Sequence, residues 1–393
     1  MGKLILVSNP GSASRKYALY DGSECLAKIH FEHVERDIIY TYNGKDKTVQ
    51  ERSDLSHLAF AASQALPIFQ KEGVLKSEDK LSAIALRVVA PSSYFQKHRI
   101  LDDKSLKKLA ELEKRAPLHV NAALQESHLL RQNFPDIKLI GVSDSAFHAS
   151  KPKYAQYYDI PLDDAVKLDI KRFGYHGLSV ESVVETLKAA HRLPLRLVVC
   201  HLGSGASVTA VKNGKSLDTT MGYSPLEGLM MATRAGSLDV TAAEVLQERL
   251  KLSNQQLEEY LNNRSGLLGV SGVSSDIRIL LSEARQGSDR AGLALKMYLH
   301  RVRQAIGQMT ATLGGIDGLV FTGTVGERSN EIRRRVVERL LFLGLSVDSE
   351  INHTTIEPQE VTLISPSSHP GRIYVVPSDE GKIMVKHAAK LVL

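Results

Sequence analysis

Two stretches of this chain constrain its fold more than anything else in it. LILVSNPGSASRKYALYDG (4–22) and RLVVCHLGSGASVTAVKNG (196–214) each run from an apolar strand through a turn of small and hydroxyl residues into a second strand and a further turn signal. The repetition is architectural, in the order of elements, and it predicts an internally duplicated chain. A length of 393 residues also exceeds one ordinary core, so two domains are expected. The junction is placed in ASKPKYAQYYDIPLDDAVKLDIK (149–171), giving a first domain over 1–148, a second over 149–381, and a short helix over 382–393 that packs back on the first. Helical patterns are read at 53–74 behind a Ser-Asp cap signal, and at 102–115, 119–132, 239–263 and 275–313. Strands alternating with helices predict α/β layers, and the opening hairpins predict mixed sheets.

The balance of charge narrows the function. Fifty Lys+Arg against 44 Asp+Glu leave a net charge of +6 and a pI near 9.1, but the bases are interleaved with acids, as in KKLAELEKR (107–115). That pattern suits small anions better than nucleic acid, which favours a concentrated basic stripe. Two cysteines provide no disulfide framework or metal cluster and read as buried thiols of a reducing cytoplasm. No window approaches the roughly 18 apolar residues of a spanning helix, so neither a membrane segment nor a secretory signal is expected.

Phosphate groups need close backbone N–H groups, small side chains that permit the approach, and hydroxyls or amides to complete the hydrogen bonds. Asn9, Gly11, Ser12 and Ser14 provide that set in the first turn, with Lys16 just beyond; Gly203, Ser204, Gly205 and Ser207 provide it in the second. One such turn is also what an ordinary hairpin uses. Two at equivalent places, followed by GLVFTGTVGERSNEIRRRVVERL (318–340), where a strand breaks at Gly323 and Gly326 into a charged helix, favour phosphate binding. Two domains each pointing such a hairpin into a shared cleft suit phosphoryl transfer. The Walker A pattern is absent, so the P-loop solution is not used.

At this point the sequence resembles the acetate kinase family, acyl-phosphate-forming enzymes that include acetate and propionate kinases within the actin-like kinase superfamily. The matching segments arrive in the family's order over nearly the whole chain: SNPGSASRKYALYDG, RVV (87–89), RAPLH (115–119), SDSAFH (143–148), KRFGYHGLS (171–179), HLGSGASVTAVKNGKSLDTTMGYSPLEGL (201–229), ATRAGSLD (232–239), GVSGVSSDIR (269–278), FTGTVGE (321–327) and PSDEG (377–381). The resemblance implies two duplicated ribonuclease H-like (actin-like) domains, mixed sheets flanked by helices, with the active site in the interdomain cleft. It also implies reversible, magnesium-dependent transfer of a phosphoryl group from ATP to acetate by direct in-line attack, in a cytoplasmic homodimer.

The resemblance likewise implies roles. Arg87 and Arg234 match the family's active-site arginines, whose planar forks suit carboxylate and phosphoryl oxygens alike. His176 matches a histidine that bonds the transferring phosphoryl, and Asp144 an active-site aspartate, although an Asp after a strand also serves as a helix cap. Asn9 and Glu380 match the residues that hold Mg2+ through oxygen, Glu380 being equally a first-turn dipole partner. His119 and His201 match histidines near the cleft. Nucleotide contacts fall on Ser12, Ser14, Lys16, His201, Gly203, Ser204, Gly205, Asp276, Ile277, Arg278 and the turn of Gly323, Thr324, Val325, Gly326 and Glu327. Val89, Leu118, Tyr175 and Pro225 match the pocket for the acid's alkyl group, a kind of pocket that discriminates by about 1–3 kcal/mol per methylene.

Some positions depart from the family's pattern. HRVVHGG is here LRVVAPS (86–92), HGTSH is HGLSV, HLGNGAS is HLGSGAS, and AGIGEN is GTVGER (323–328). Thr324 stands where a glycine is expected, and a β-branched side chain there narrows the space for adenine or ribose, which keeps pyrophosphate open as an alternative donor; the weak discrimination of the alkyl pocket keeps propionate or another short acid open as an alternative acceptor. A catalytically silent actin-like binding protein predicts gaps in the charged set, and the set is intact.

Overall fold

The computed structural model describes residues 4–11, 14–35, 37–76, 78–113 and 117–392, without the side chains of 117–119. Contacts divide the chain into two compact units, 1–146 together with 379–393, and 147–378.

The first unit is built on β1 (Leu4–Pro10), β2 (Ser14–Asp21), β3 (Glu24–Val34), β4 (Asp37–Asn43), β5 (Thr48–Ser53), β6 (Leu81–Val88), β7 (Arg99–Ile100) and β8 (Leu139–Ser143), in the order β5-β4-β3-β2-β1-β6-β8-β7. The first five strands form an antiparallel meander, and β6 and β8 add in parallel beside β1. Strand alternation decides which side chain meets which layer. Leu4, Leu6, Leu19, Ile84 and Leu86 enter a core with α1 (Ala61–Lys71), α2 (Asp103–Ala110) and α3 (Pro117–Asn133). The last helix, Glu380–Val392, packs on β1, β6 and β8 and buries Ile383, Met384, Val385 and Ala388.

The second unit holds β9 (Arg196–Leu202), β10 (Ala206–Lys212), β11 (Lys215–Thr219), β12 (Gly318–Thr322), β13 (Thr362–Leu363) and β14 (Arg372–Val375), ordered β11-β10-β9-β12-β14-β13. Its helices are α4 (Lys153–Gln156), α5 (Leu162–Lys167), α6 (Gly177–Ala189), α7 (Val240–Leu250), α8 (Asn254–Asn263), α9 (Gly266–Ser271), α10 (Ile277–Arg285), α11 (Asp289–Leu313), α12 (Gly323–Arg328), α13 (Asn330–Val337) and α14 (Ser349–Thr354). The central strands repeat the plan of the first unit: a hairpin, a third antiparallel strand at its side, and two parallel strands beyond its first strand. Val180, Val183, Val184 and Leu187 of α6 meet Leu197 and Val199 of β9, whereas α11 buries a stripe from Ala291 to Leu313 that packs on β9, β10 and β11.

Three helical readings and one turn need correction. The segment 53–74 begins with the end of β5: Ser53 donates its hydroxyl to Gln64 Oε1 at 2.7 Å and accepts from the N–H of Leu55, so it builds a turn, and α1 starts only at Ala61. The segment 239–263 is two helices, broken where Lys251 takes a left-handed conformation and Ser253 with Gln256 caps α8 in a reciprocal box. The segment 275–313 likewise breaks at Gln286–Ser288, Gly287 having φ +96° and Ser288 capping α11. The turn read at 323–327 is helical, for α12 begins at Gly323 itself.

Candidate active site

In the first unit the site grows from the ends of three neighbouring strands. Alternation along β1 turns Asn9 away from the α1–α3 core, and Arg87, next to last in β6, lies on the same side. Arg87 Nη2 donates to Asp144 Oδ2 at 2.9 Å and Nη1 to Asn9 Oδ1 at 3.3 Å, and Glu380 Oε2 lies 3.6 Å from Nη1. Asp144 follows β8 directly, its own N–H bonded to the Val88 carbonyl, and its side chain is 1% exposed. Glu380 opens the last helix, whose start is fixed by Asp379: that carboxylate accepts from Lys382 N and from the Tyr20 hydroxyl. Burial works against the Arg87 charge, but Asp144 and Glu380 outweigh it and hold the guanidinium more firmly protonated than usual. Nε of Arg87 is buried without a hydrogen-bond partner among the described residues. A desolvated donor of this kind is costly unless a ligand oxygen completes it. Two carboxylates and an amide oxygen around one cation also form a hard-oxygen donor set, and that chemistry fits Mg2+.

The first turn is less simple than its sequence. Ser14 begins β2 and its carbonyl accepts from the N–H of Gly11, whereas Lys16 is exposed. Ser12 lies outside the described residues. Val89 is half-buried beyond β6, and the side chain of Leu118 is likewise not described.

In the second unit, His176, His201, Arg234 and the turn of 203–205 come together. His176 caps α6 from a left-handed backbone (φ 60°), and its Nδ1 lies 3.0 Å from the hydroxyl of Ser207. Ser207 is fully buried, so its hydroxyl serves the histidine and not an anion, which corrects the reading of the turn. His201 lies beside it, the rings tilted by 31° with centroids 4.1 Å apart, its Nδ1 2.7 Å from Ser179 Oγ. The N–H of Gly203 bonds the Gly205 carbonyl, and the Ser204 carbonyl accepts from Ala232 N, which ties the turn to the loop carrying Arg234. A Cβ on Gly205 would meet His176 Nε2 at 3.0 Å and Arg234 Nη1 at 3.5 Å.

The start of α12 joins this group, its Thr324 N–H lying 3.9 Å from where a Gly203 Cβ would be. Glu327 folds back on its own helix: its Oε1 accepts from Gly323 N at 2.8 Å, from the Thr322 hydroxyl and from Ser378 N, so it holds backbone. Val325 is half-buried and Gly326 buried, while the Thr324 side chain is exposed and fills no packed space. From behind, the fully buried Arg333 donates to the carbonyls of Gly326 and Glu327. Asp276 caps α10 and pairs with the exposed Arg278, and Ile277 is core.

Tyr175 is buried, donating its hydroxyl to the Tyr223 carbonyl at 2.7 Å in the loop that carries the buried Pro225. His148, which sequence reasoning left without a role, bridges Ser216 Oγ and the Tyr175 carbonyl and so fixes the approach to His176. Its place in SDSAFH, four residues after Asp144, was the available signal.

A shared strand order in two mixed sheets, with clustered arginines and histidines at the strand ends, defines an actin-like kinase. Structurally the chain is similar to the acetate kinase of Porphyromonas gingivalis (TM-score 0.86, 32% identity, 100% of both chains) and to a propionate kinase from Francisella tularensis subsp. tularensis SCHU S4 (TM-score 0.90, 30% identity, 99% of this chain and 100% of that one). An acetate kinase of Caldanaerobacter subterraneus subsp. tengcongensis is 38% identical over 400 residues, spanning 99% of this chain and 98% of the relative. The chain belongs to the Acetokinase family, whose profile matches residues 4–386. It is therefore a phosphotransferase with a carboxylate acceptor and ATP/ADP as co-substrate.

Proposed function

We propose that the chain transfers the γ-phosphoryl group of ATP to acetate, reversibly and with Mg2+, giving acetyl phosphate and ADP. The observation that carries this reading is the buried Nε of Arg87, without a hydrogen-bond partner among the described residues, within the cluster of Asn9, Asp144 and Glu380. A carboxylate oxygen attacks the γ-phosphorus in line; that O–P bond forms as the P–O bond to the β-phosphate breaks, and ADP leaves with its electron pair. Acetate is ionised at neutral pH, so no general base is needed. Arg87 orients the acceptor with its free donor and opposes the charge that develops on the phosphoryl oxygens. Within the second unit, His176, its ring fixed by Ser207, and Arg234 offer donors to phosphoryl oxygens, and Gly203–Gly205 with the start of α12 offer a seat for the donor phosphates. Asn9 and Glu380 are the residues that hold Mg2+, which when bound neutralises donor phosphate charge.

The exposed Thr324 gives no support to a closed nucleotide site, which favours ATP over pyrophosphate. Tyr175 and Pro225 form part of the alkyl pocket in this reading, while Asp276 and Arg278 flank the adenosine. Among the described residues no helix is long and apolar enough to cross a membrane, and we place the enzyme in the cytoplasm. Helix α7 buries none of its residues and exposes Val240 and Val245, in keeping with a homodimer. Hydroxamate trapping of acyl phosphate, with acetate, propionate and butyrate against ATP and pyrophosphate, tests the reaction. Product from acetate and ATP is expected; product from pyrophosphate alone would overturn the assignment of the donor.

A further inference from the structure

Glu380 is held in place by a side chain from the other end of the chain. Along β2, Leu19 enters the core with α1–α3, so alternation turns Tyr20 to the other face of the sheet, towards the last helix. Tyr20 is 1% exposed there, and its hydroxyl donates to Asp379 Oδ1 at 3.2 Å. The same oxygen accepts from Lys382 N at 3.0 Å. Asp379 therefore caps the helix, and Tyr20 anchors the cap to the sheet.

Gly381 meets that hydroxyl from the helix side. A Cβ on Gly381 would overlap Tyr20 Oη and lie 3.1 Å from Cζ and 3.3 Å from Cε2. Gly381 is the second residue of the helix and is not among the positive-φ residues, so its backbone does not call for glycine. Glycine also weakens a helix, and the close approach of Tyr20 is the reason to keep it here. A ring packed in an interior cannot simply retreat from an added methyl group.

Asp379 and Gly381 stand on either side of Glu380, so one hydroxyl fixes the backbone just before and just after that carboxylate. Glu380 Oε2 lies 3.6 Å from Arg87 Nη1, and Asn9 Oδ1 lies 3.3 Å from the same nitrogen. Helix ends fray, and a loosened first turn would part these two oxygens. We propose that Tyr20 is a positioning residue: through the Asp379 cap and the close fit of Gly381, it holds Glu380 where that residue and Asn9 bind one Mg2+. The proposal rests on the metal role given to Asn9 and Glu380 above.

Three variants of the full chain test it. Tyr20→Phe removes only the hydroxyl, Gly381→Ala drives a methyl group against it, and the double variant sets that methyl group against a ring without the oxygen. Glu380→Ala is the reference for a lost ligand. Mn2+, which prefers the same oxygen ligands, is titrated into the protein without nucleotide and its free fraction followed by electron paramagnetic resonance, beside a thermal melt. Tyr20→Phe is expected to raise the Mn2+ Kd about 3–10-fold and Gly381→Ala about tenfold or more. The double variant should fall well short of the product of the two, because the overlap is relieved.

An unchanged Mn2+ Kd in Tyr20→Phe, whatever its melting temperature, would mark the contact as merely structural and overturn the proposal. A Gly381→Ala effect of equal size with and without the hydroxyl would do the same. If Glu380→Ala takes up Mn2+ as the unaltered protein does, Glu380 is no ligand and the proposal fails with the metal role. Should Gly381→Ala not fold, Tyr20→Phe against Glu380→Ala decides alone. If the unaltered protein phosphorylates no short acid, the reaction assignment fails, and the Mn2+ titration, which needs no turnover, still decides the role of Tyr20.

Discussion

A methyl group on Gly205 would press on the His176 ring at 3.0–3.1 Å, closer than carbon and nitrogen settle without movement. The backbone there does not require glycine, for Gly205 is not among the positive-φ residues, so Gly205→Ala isolates the steric effect. Displacing the ring by a few tenths of an ångström is expected to lower kcat about 10–100-fold with little change in melting temperature. Steady-state kinetics beside a thermal melt check this. Arg234→Ala is expected to reduce kcat about a thousandfold and leave the fold intact, since the residue acts on transition-state charge; activity within tenfold would remove it from the site. At this scale the charged residues are legible in the sequence because each stands in a local motif. Their supports are not. Tyr20 lies 359 residues from Asp379, and nothing local to either announces the bond between them.

Elements were legible where one apolar period ran to a strong stop. The paired hairpins and the C-terminal end of α11 read correctly for that reason, α11 stopping at Gly314 with φ 71°. Long helical stretches were over-extended because Lys251 and Gln286 are ordinary helix formers, which masked the stop and start signals beside them, Ser253 with Gln256 and Gly287 with Ser288. The charged face of α13 gives an element-scale prediction. Glu331 pairs with Arg334 at 3.0 Å and Arg335 at 2.7 Å, and these bonds hold its carboxyl down at about 2, from an ordinary value of 4.5. A depressed folded-state pKa stabilises the fold above about 4.5, and the contribution is lost as pH falls towards about 2. Glu331→Gln is therefore expected to lose about 0.5–1 kcal/mol at pH 7, the size of two exposed helix pairs. Urea titrations should show the gap closing across that acid window.

For the whole molecule, the covalent path matters as much as the packing. The chain leaves the first unit after Ala146 and returns to it at Asp379. The returning helix buries Ile383, Met384 and Val385. At about 1.5–3 kcal/mol for each side chain, removing it forfeits a large part of the roughly 5–15 kcal/mol that holds a domain together. A chain cut after Ser378 is expected to lose the first unit to limited proteolysis at low protease while 147–378 resists; equal resistance of both would contradict this. The same threading acts during synthesis. The strands of the first unit emerge from the ribosome early, yet one face of their sheet, and the Glu380 that completes the Arg87 cluster, wait for about 230 further residues. At roughly 5–20 residues per second that is an interval of about 10–50 s. Throughout it, each nascent chain exposes an apolar sheet face to the chaperones around the tunnel exit, and none is a finished enzyme.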